Sequence, residues 1–151
     1  MNDILQEYNK ANNYIFIERI DNIELHFNLH TKQTLLKIYE KKIDIISLFK
    51  EKTNNKYKFR CSISSYKYII LDLKIDTHQD CVYMHSKYND DEYSFDILYL
   101  YTFNCIIVEK ENHYEIFYYF KSSSEIKFIS TFNVFFINEI NNRLKNNISN
   151  I

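Results

Sequence analysis

The sequence predicts a single α+β domain, in which a mostly antiparallel sheet of about eight to nine strands packs against two helices. The chain has 151 residues, a length typical of one domain, here residues 1–151. Its middle portion alternates short segments rich in β-branched and aromatic residues with short polar breaks, the pattern of strands joined in hairpins or a meander. Its last segment repeats apolar residues every three to four positions, the period of a helix.

The chain contains neither glycine nor proline, and this absence determines where it can turn. Asparagine, aspartate and serine tolerate left-handed backbone or hydrogen-bond to their own backbone, so they are expected to mark the turns. The same absence excludes glycine-rich phosphate loops and the dinucleotide-binding fingerprint, and no cofactor is expected. The predicted breaks are Asp21-Asn22, Asn54-Asn55, 77–80, 89–91, Asn104, Glu111-Asn112 and 122–124.

Strands are expected between these breaks. Segments 14–20 and 23–30 predict a hairpin around Asp21-Asn22, because Ile23, Leu25, Phe27 and Leu29 alternate with polar residues. The short polar breaks favour antiparallel pairing, since parallel crossovers need a dozen or more residues. The further predicted strands are 57–63, 66–75, 81–87, 94–103, 105–110, 114–121 and 125–130.

Two segments are predicted to be helical. Over residues 32–52, Leu35, Tyr39, Ile43, Ile46 and Phe49 recur at helical spacing, although a hairpin turning at 40–42 is the alternative for 32–50, because isoleucine and tyrosine favour strands. The second helix is an amphipathic one near 133–148 that begins at Asn133 as the N-cap. It presents Phe136, Ile140, Leu144 and Ile148 on one face.

Composition limits the function and the location. The scarcity of residues with GC-rich codons indicates a very AT-rich genome, such as that of a virus or an organelle. A net charge of −1 gives no overall attraction to nucleic acid or anionic membrane. Cys61, Cys81 and Cys105 are an odd number at wide spacing, which favours free thiols in a reducing, cytoplasmic location. Neither a signal peptide nor a membrane span is expected.

Two clusters could hold an ion. His78, Cys81 and His85 are ligand types suited to zinc, but no second Cys/His pair completes a four-ligand site, so a polar loop leading into a strand is the alternative. The second cluster is basic, and period-two spacing on a strand places its last three members on one face. Its residues are Lys50, Lys52, Lys56, Lys58 and Arg60, which could bind an anion, a phosphoinositide or a nucleic-acid backbone; the alternative is a solvated lysine-rich face.

The density of aromatic residues predicts a partner-binding face. Strands 94–103 and 114–121 are apolar on both sides, so either helices cover both faces of the sheet or one face is an interface. The candidate interface residues are Tyr99, Tyr101, Tyr114, Tyr118 and Tyr119. With no catalytic constellation in view, the sequence favours a non-enzymatic interaction protein, such as an inhibitor, adaptor or assembly subunit, bound to a protein partner or to copies of itself.

Overall fold

Nine strands and two α-helices account for most of the residues that the computed structural model describes, namely 2–50, 58–62, 68–72, 74–77, 81–87, 102–120 and 126–149. The helices are α1 (Asn2–Lys10) and α2 (Ile126–Ser149), and a short 3-10 helix spans Ile45–Phe49. The strands are β1 (Ile15–Ile20), β2 (Ile23–Phe27), β3 (Thr34–Ile38), β4 (Lys58–Ser62), β5 (Tyr68–Asp72), β6 (Lys74–Thr77), β7 (Cys81–Lys87), β8 (Thr102–Glu109) and β9 (Tyr114–Phe120).

Seven of these strands form one antiparallel sheet in the order β1-β2-β3-β9-β8-β7-β6. The remaining two, β4 and β5, form a separate antiparallel hairpin. The predicted α+β class and antiparallel pairing are therefore confirmed. The expected sheet of eight to nine strands is not matched, because the main sheet in the described part of the chain has seven strands.

The first hairpin confirms that the chain turns on aspartate and asparagine. β1 and β2 flank the two-residue turn Asp21-Asn22, and Asp21 has a φ of 50°, in the left-handed region that aspartate tolerates. Asn13 and Lys32 also adopt left-handed backbone, with φ of 61° and 59°. The turn at Glu111-Asn112 is confirmed as well, since it joins β8 to β9.

The main core lies between α2 and one face of the sheet. Phe132 and Phe136 of α2 stack on each other at 5.1 Å, and both rings contact Phe103 and Tyr118 of the sheet. Burial of these large aromatic side chains is the dominant stabilising contribution of this layer. The other buried members on the sheet side are Ile23, Leu25, Phe27, Leu36, Ile38, Cys105, Ile107, Tyr114, Ile116 and Phe120.

The predicted C-terminal helix is confirmed, but it begins earlier than the sequence indicated. α2 starts at Ile126, so the expected strand over 125–130 is wrong. Asn133 is not an N-cap: it lies buried within the helix, where its Oδ1 accepts hydrogen bonds from the Tyr118 hydroxyl at 2.5 Å and the Thr34 hydroxyl at 3.3 Å. The Asn133 side chain therefore links α2 to the sheet by hydrogen bonds and does not cap the start of the helix.

The predicted helix near 32–52 is wrong. This segment contains β3, a loop and the 3-10 helix, which Asp44 caps by accepting from the Ile46 amide. The alternative hairpin turning at 40–42 is also wrong, since β3 pairs with β2 and β9 and not with its own continuation. Of the residues at helical spacing, only Leu35 lies on β3, where it packs with the cluster beneath α1, whereas Ile43 and Phe49 lie beyond the strand and pack in the main core. The spacing thus coincides with a helical period although these residues belong to a strand, a loop and the 3-10 helix.

Helix α1, which the sequence did not predict, forms a second layer on the other face of the sheet. Ile4 is buried against Ile106 and Phe117, and the Tyr8 ring lies 5.8 Å from the Phe117 ring. A second prediction fails in this region: β8 runs through Asn104 without a break, and the buried Asn104 side chain accepts a 3.3 Å hydrogen bond from Tyr83.

Several predictions fall on residues outside the described part of the chain. They are the strand segment 94–101 and the breaks at 54–55, 78–80, 89–91 and 122–124. Among the described helices, none is both long and apolar enough to cross a membrane.

Candidate functional site

The face of the sheet opposite α2 is only half covered. Helix α1 lies over β8 and β9, where its Ile4, Leu5 and Tyr8 pack on apolar side chains. Over β1 and β2, no helix among the described residues lies on this side. We call the surface formed by the side chains there the open half-face. It consists of Phe16, Arg19, Glu24, His26 and Lys37 with the flanking Tyr39 and His113.

Strand register places alternating charges side by side across the open half-face. Arg19 pairs with Glu24, Glu24 pairs with Lys37, and Lys37 pairs with Glu115. The Arg19 guanidinium lies 3.1 Å from the Glu24 carboxylate. Opposite charges directly across neighbouring strands contribute about 0.2 to 1 kcal/mol each, so this row helps to fix the register.

Two histidine–glutamate pairs flank this row, and Tyr39 lies between them. Glu24 Oε1 is 3.1 Å from His26 Nε2, and Glu115 Oε2 is 3.0 Å from His113 Nε2. The Tyr39 ring packs 5.0 Å from the His113 ring, and its hydroxyl donates a 3.4 Å hydrogen bond to Glu24. The hydrogen bond from His26 is the largest influence on Glu24 and, with the charges of His26 and Arg19, lowers its pKa despite the opposing effect of burial.

A cleft of about 290 Å³ opens where the end of α1 meets β3 and β9. The Tyr8 hydroxyl donates a 2.6 Å hydrogen bond to Glu115 Oε1, and the Lys110 ammonium lies 5.5 Å from the centre of the Tyr8 ring. Burial acts to raise the pKa of Glu115, but the hydrogen bonds from Tyr8 and His113 and the charge of Lys110 outweigh it and leave that pKa lowered. The Tyr14 hydroxyl in the same cleft is buried, and none of the described residues hydrogen-bonds to it.

The edge strand β1 carries three consecutive apolar side chains that are half exposed. Ile15, Phe16 and Ile17 have exposed fractions of 48%, 55% and 51%, and we call them the β1 triplet. Among the described strands, β1 pairs with β2 alone, so its other edge presents unpaired backbone amides and carbonyls. The register with β2 shifts between Phe16 and Glu18, leaving Ile17 at a bulge.

An exposed apolar edge of this kind is unusual in a folded protein. Native sheets normally protect edge strands with charges, bulges or covering segments, because a bare edge templates pairing with another chain. Here the bulge falls at Ile17, the last residue of the β1 triplet, and the charged residues Glu18 and Arg19 follow it, while the triplet itself has no charge. The β1 triplet is thus the described surface best suited to contact another protein.

The predicted anion-binding stripe is only partly described. Lys50 is exposed just after the 3-10 helix, and Lys58 and Arg60 occupy β4 opposite Asp72 and Ile70. Lys52 and Lys56 lie outside the described residues. The stripe stays a prediction.

The predicted tyrosine interface is largely inside the protein. Tyr118 is fully buried beneath α2, and Tyr114 is buried in the same core, so neither ring offers a surface to a partner. Tyr119 is half-buried in the cluster under α1. Tyr99 and Tyr101 lie outside the described residues.

The predicted zinc ligands do not come together in the described strands. Cys81 and His85 lie four residues apart on β7, a spacing of roughly 13 Å along a strand, which is too far for the backbone positions of two ligands of one ion. His78 lies outside the described residues. The described residues contain no group of three His, Cys, Asp or Glu side chains that could hold a metal.

Of the three cysteines, Cys81 and Cys105 have described side chains, and Cys105 is a buried free thiol. Burial raises the pKa of the Cys105 thiol, which keeps it protonated and unreactive.

Comparisons with protein-family models, with curated proteins and with solved structures each return no match. The surface described above is therefore interpreted from its own residues.

Sequence reasoning placed residues 14–20 in a strand but did not single out the β1 triplet as a surface. The available signal was local: Ile15, Phe16 and Ile17 do not alternate with polar residues, as a half-exposed strand should. Whether such a strand lies at an edge or inside a sheet depends on pairing with distant strands, which the local pattern does not report.

Proposed function

We propose that this protein is a non-enzymatic interaction protein, such as an inhibitor, adaptor or assembly subunit, whose partner docks on the β1 triplet. The observation that carries the proposal is the half-exposure of three consecutive large apolar side chains on an edge strand. Phe16 lies on the open half-face and Ile15 on the α2 face, and exposed apolar side chains along an unpaired edge strand favour pairing with another chain.

The residues around the triplet support the same proposal. Protein interfaces commonly have an apolar centre surrounded by a polar rim, and arginine and aromatic residues are enriched in them. Arg19, Glu24 and His26 border Phe16 on the open half-face, and the Phe16 and His26 rings are 5.5 Å apart. The network that holds Glu24 and His26 in place keeps this rim ordered before a partner binds, which reduces the entropy lost on binding.

The proposal moves the docking surface away from the tyrosine-rich strands that the sequence favoured. Tyr114 and Tyr118 stabilise the core beneath α2, so their rings are buried within the fold and are not accessible to a partner. The β1 triplet has no such cover among the described residues.

The experiment is a pull-down from an extract of the native source with wild-type protein and the variant Ile17→Lys. Ile17 is exposed and sits at the bulge, so lysine is expected to change stability by no more than about 0.5 kcal/mol while placing a charge in the docking surface. The matched control is Val134→Lys, which adds the same charge at a 41% exposed position on α2.

The proposal predicts a protein that wild-type and Val134→Lys capture and that Ile17→Lys loses. Equal capture by all three proteins would contradict it, provided that circular dichroism shows the same fold for each.

A further inference from the structure

We infer that the partner on the β1 triplet is a second copy of this chain, bound by antiparallel pairing of the two β1 strands about a two-fold axis through Phe16. This inference rests on the proposed docking surface and names its occupant. It starts from a sequence symmetry: the β1 triplet reads Ile-Phe-Ile, the same in both directions.

The symmetry matters because an antiparallel pair of identical strands is related by a two-fold axis perpendicular to the sheet. In such an interface residue i of one copy meets residue j of the other, residue j meets residue i, and only the residue on the axis meets its own counterpart. An axis through Phe16 sets Phe16 opposite Phe16 of the second copy, and Ile15 opposite Ile17 of the second copy. All three half-exposed side chains then meet apolar side chains, and the unpaired edges of both strands gain hydrogen-bond partners.

Other antiparallel registers are less favourable. An axis through Ile17 sets Phe16 opposite Glu18 of the second copy, which buries apolar area against a carboxylate. An axis through Glu18 brings two carboxylates directly opposite each other, and like charges in that position are destabilising. The Phe16-centred register instead sets Glu18 opposite Tyr14 of the second copy.

The arrangement closes on itself. Each copy uses its single β1 edge, so pairing produces a dimer with one continuous sheet and not a growing fibre. Regular pairing is limited to the triplet, because β1 begins at Ile15, the register with β2 shifts at Ile17, and the charged Glu18 and Arg19 follow. Because the contact is this short, the dimer is expected to be weaker than an obligate one and to depend on concentration.

The first experiment measures molar mass by sedimentation equilibrium over a concentration series. Wild-type protein and Val134→Lys should approach twice the mass of the chain as concentration rises, whereas Ile17→Lys should remain at the mass of one chain. A second experiment fixes the register. Phe16→Cys should form a disulfide-linked dimer under mild oxidation, because the two residues 16 face each other, whereas Leu29→Cys, equally exposed but outside the triplet, should not.

Two outcomes would overturn the inference: wild-type protein that stays monomeric throughout the series, or a dimer that Ile17→Lys leaves intact. A monomeric wild-type protein that still captures a different protein, lost only in Ile17→Lys, would overturn the self-pairing alone and leave the proposed function standing. Absence of both self-association and capture would overturn both.

Discussion

At the residue scale, the cleft below α1 places two tyrosines in contrasting positions. Tyr8 donates a short hydrogen bond to the Glu115 carboxylate, whereas the buried Tyr14 hydroxyl has no partner among the described residues. A hydrogen bond to a charged group stabilises a fold by about 1.5 to 3 kcal/mol, and a buried polar group without a partner costs a comparable amount. The same substitution at the two positions should therefore have opposite effects.

We expect Tyr8→Phe to lower the free energy of unfolding by about 1 to 2 kcal/mol at neutral pH, because it removes the hydrogen bond to Glu115. Tyr14→Phe is the matched control and should leave stability unchanged or raise it, since its hydroxyl makes no hydrogen bond to any described residue. Urea denaturation of both variants and of wild-type protein measures the difference.

The cost of Tyr8→Phe should also depend on pH. The folded pKa of Glu115 is lowered, so its stabilising contribution is present above the ordinary value of 4.5 and is lost as the pH falls through the folded pKa. The difference between Tyr8→Phe and wild-type protein should shrink over that acidic range. A difference that stays constant with pH would show that the hydroxyl acts through packing and not through the carboxylate.

At the element scale, the accuracy of the sequence predictions follows from how each element is covered. The hairpin of β1 and β2 was predictable, because Ile23, Leu25 and Phe27 alternate with polar residues and Asp21-Asn22 can only be a turn. Strand β3 was not predictable from its sequence. Helix α2 covers one of its faces and the cluster beneath α1 contacts the other, so Leu35 and Leu36 are both apolar and the alternation of apolar and polar residues is lost.

The helices differ in the same way. The C-terminal helix was predictable because Phe136, Ile140 and Leu144 repeat over several turns, whereas α1 has nine residues and contributes few apolar side chains. Ile4, Tyr8 and Ala11 do follow helical spacing, and this was the signal that could have located α1. The sequence predicts a break at Asn104 and an N-cap at Asn133, because it does not show that a distant side chain will hydrogen-bond to either amide inside the core.

Asn133 provides a test of how α2 is attached to the sheet. Asn133→Ala removes the acceptor that the hydroxyls of Tyr118 and Thr34 share inside the core, and should lower the free energy of unfolding by about 2 to 3 kcal/mol. Asn142→Ala is the control, because Asn142 is exposed on the same helix and alanine favours helix. Thermal unfolding of the two variants separates loss of the buried hydrogen bonds from changes in helix propensity; equal melting temperatures would contradict this attachment.

At the scale of the whole molecule, one sheet supports two layers of unequal extent. Helix α2 and the 3-10 helix bury one face, and the cluster under α1 extends over β7, β8, β9 and part of β3 on the other face. The open half-face and the β1 edge are the surfaces that these described layers leave uncovered. We propose that the uncovered β1 edge is where this protein meets its partner.

Amide hydrogen exchange tests this claim most directly, because it reports on the backbone of β1 itself. Exchange is compared between dilute protein and protein saturated with its partner, whether a second copy at high concentration or the captured protein. We expect the amides of the β1 triplet that point away from β2 to become protected in the complex, while those of α2 do not change. Unchanged exchange in the β1 triplet, with new protection on the exposed side of α2 around Val134, would contradict it.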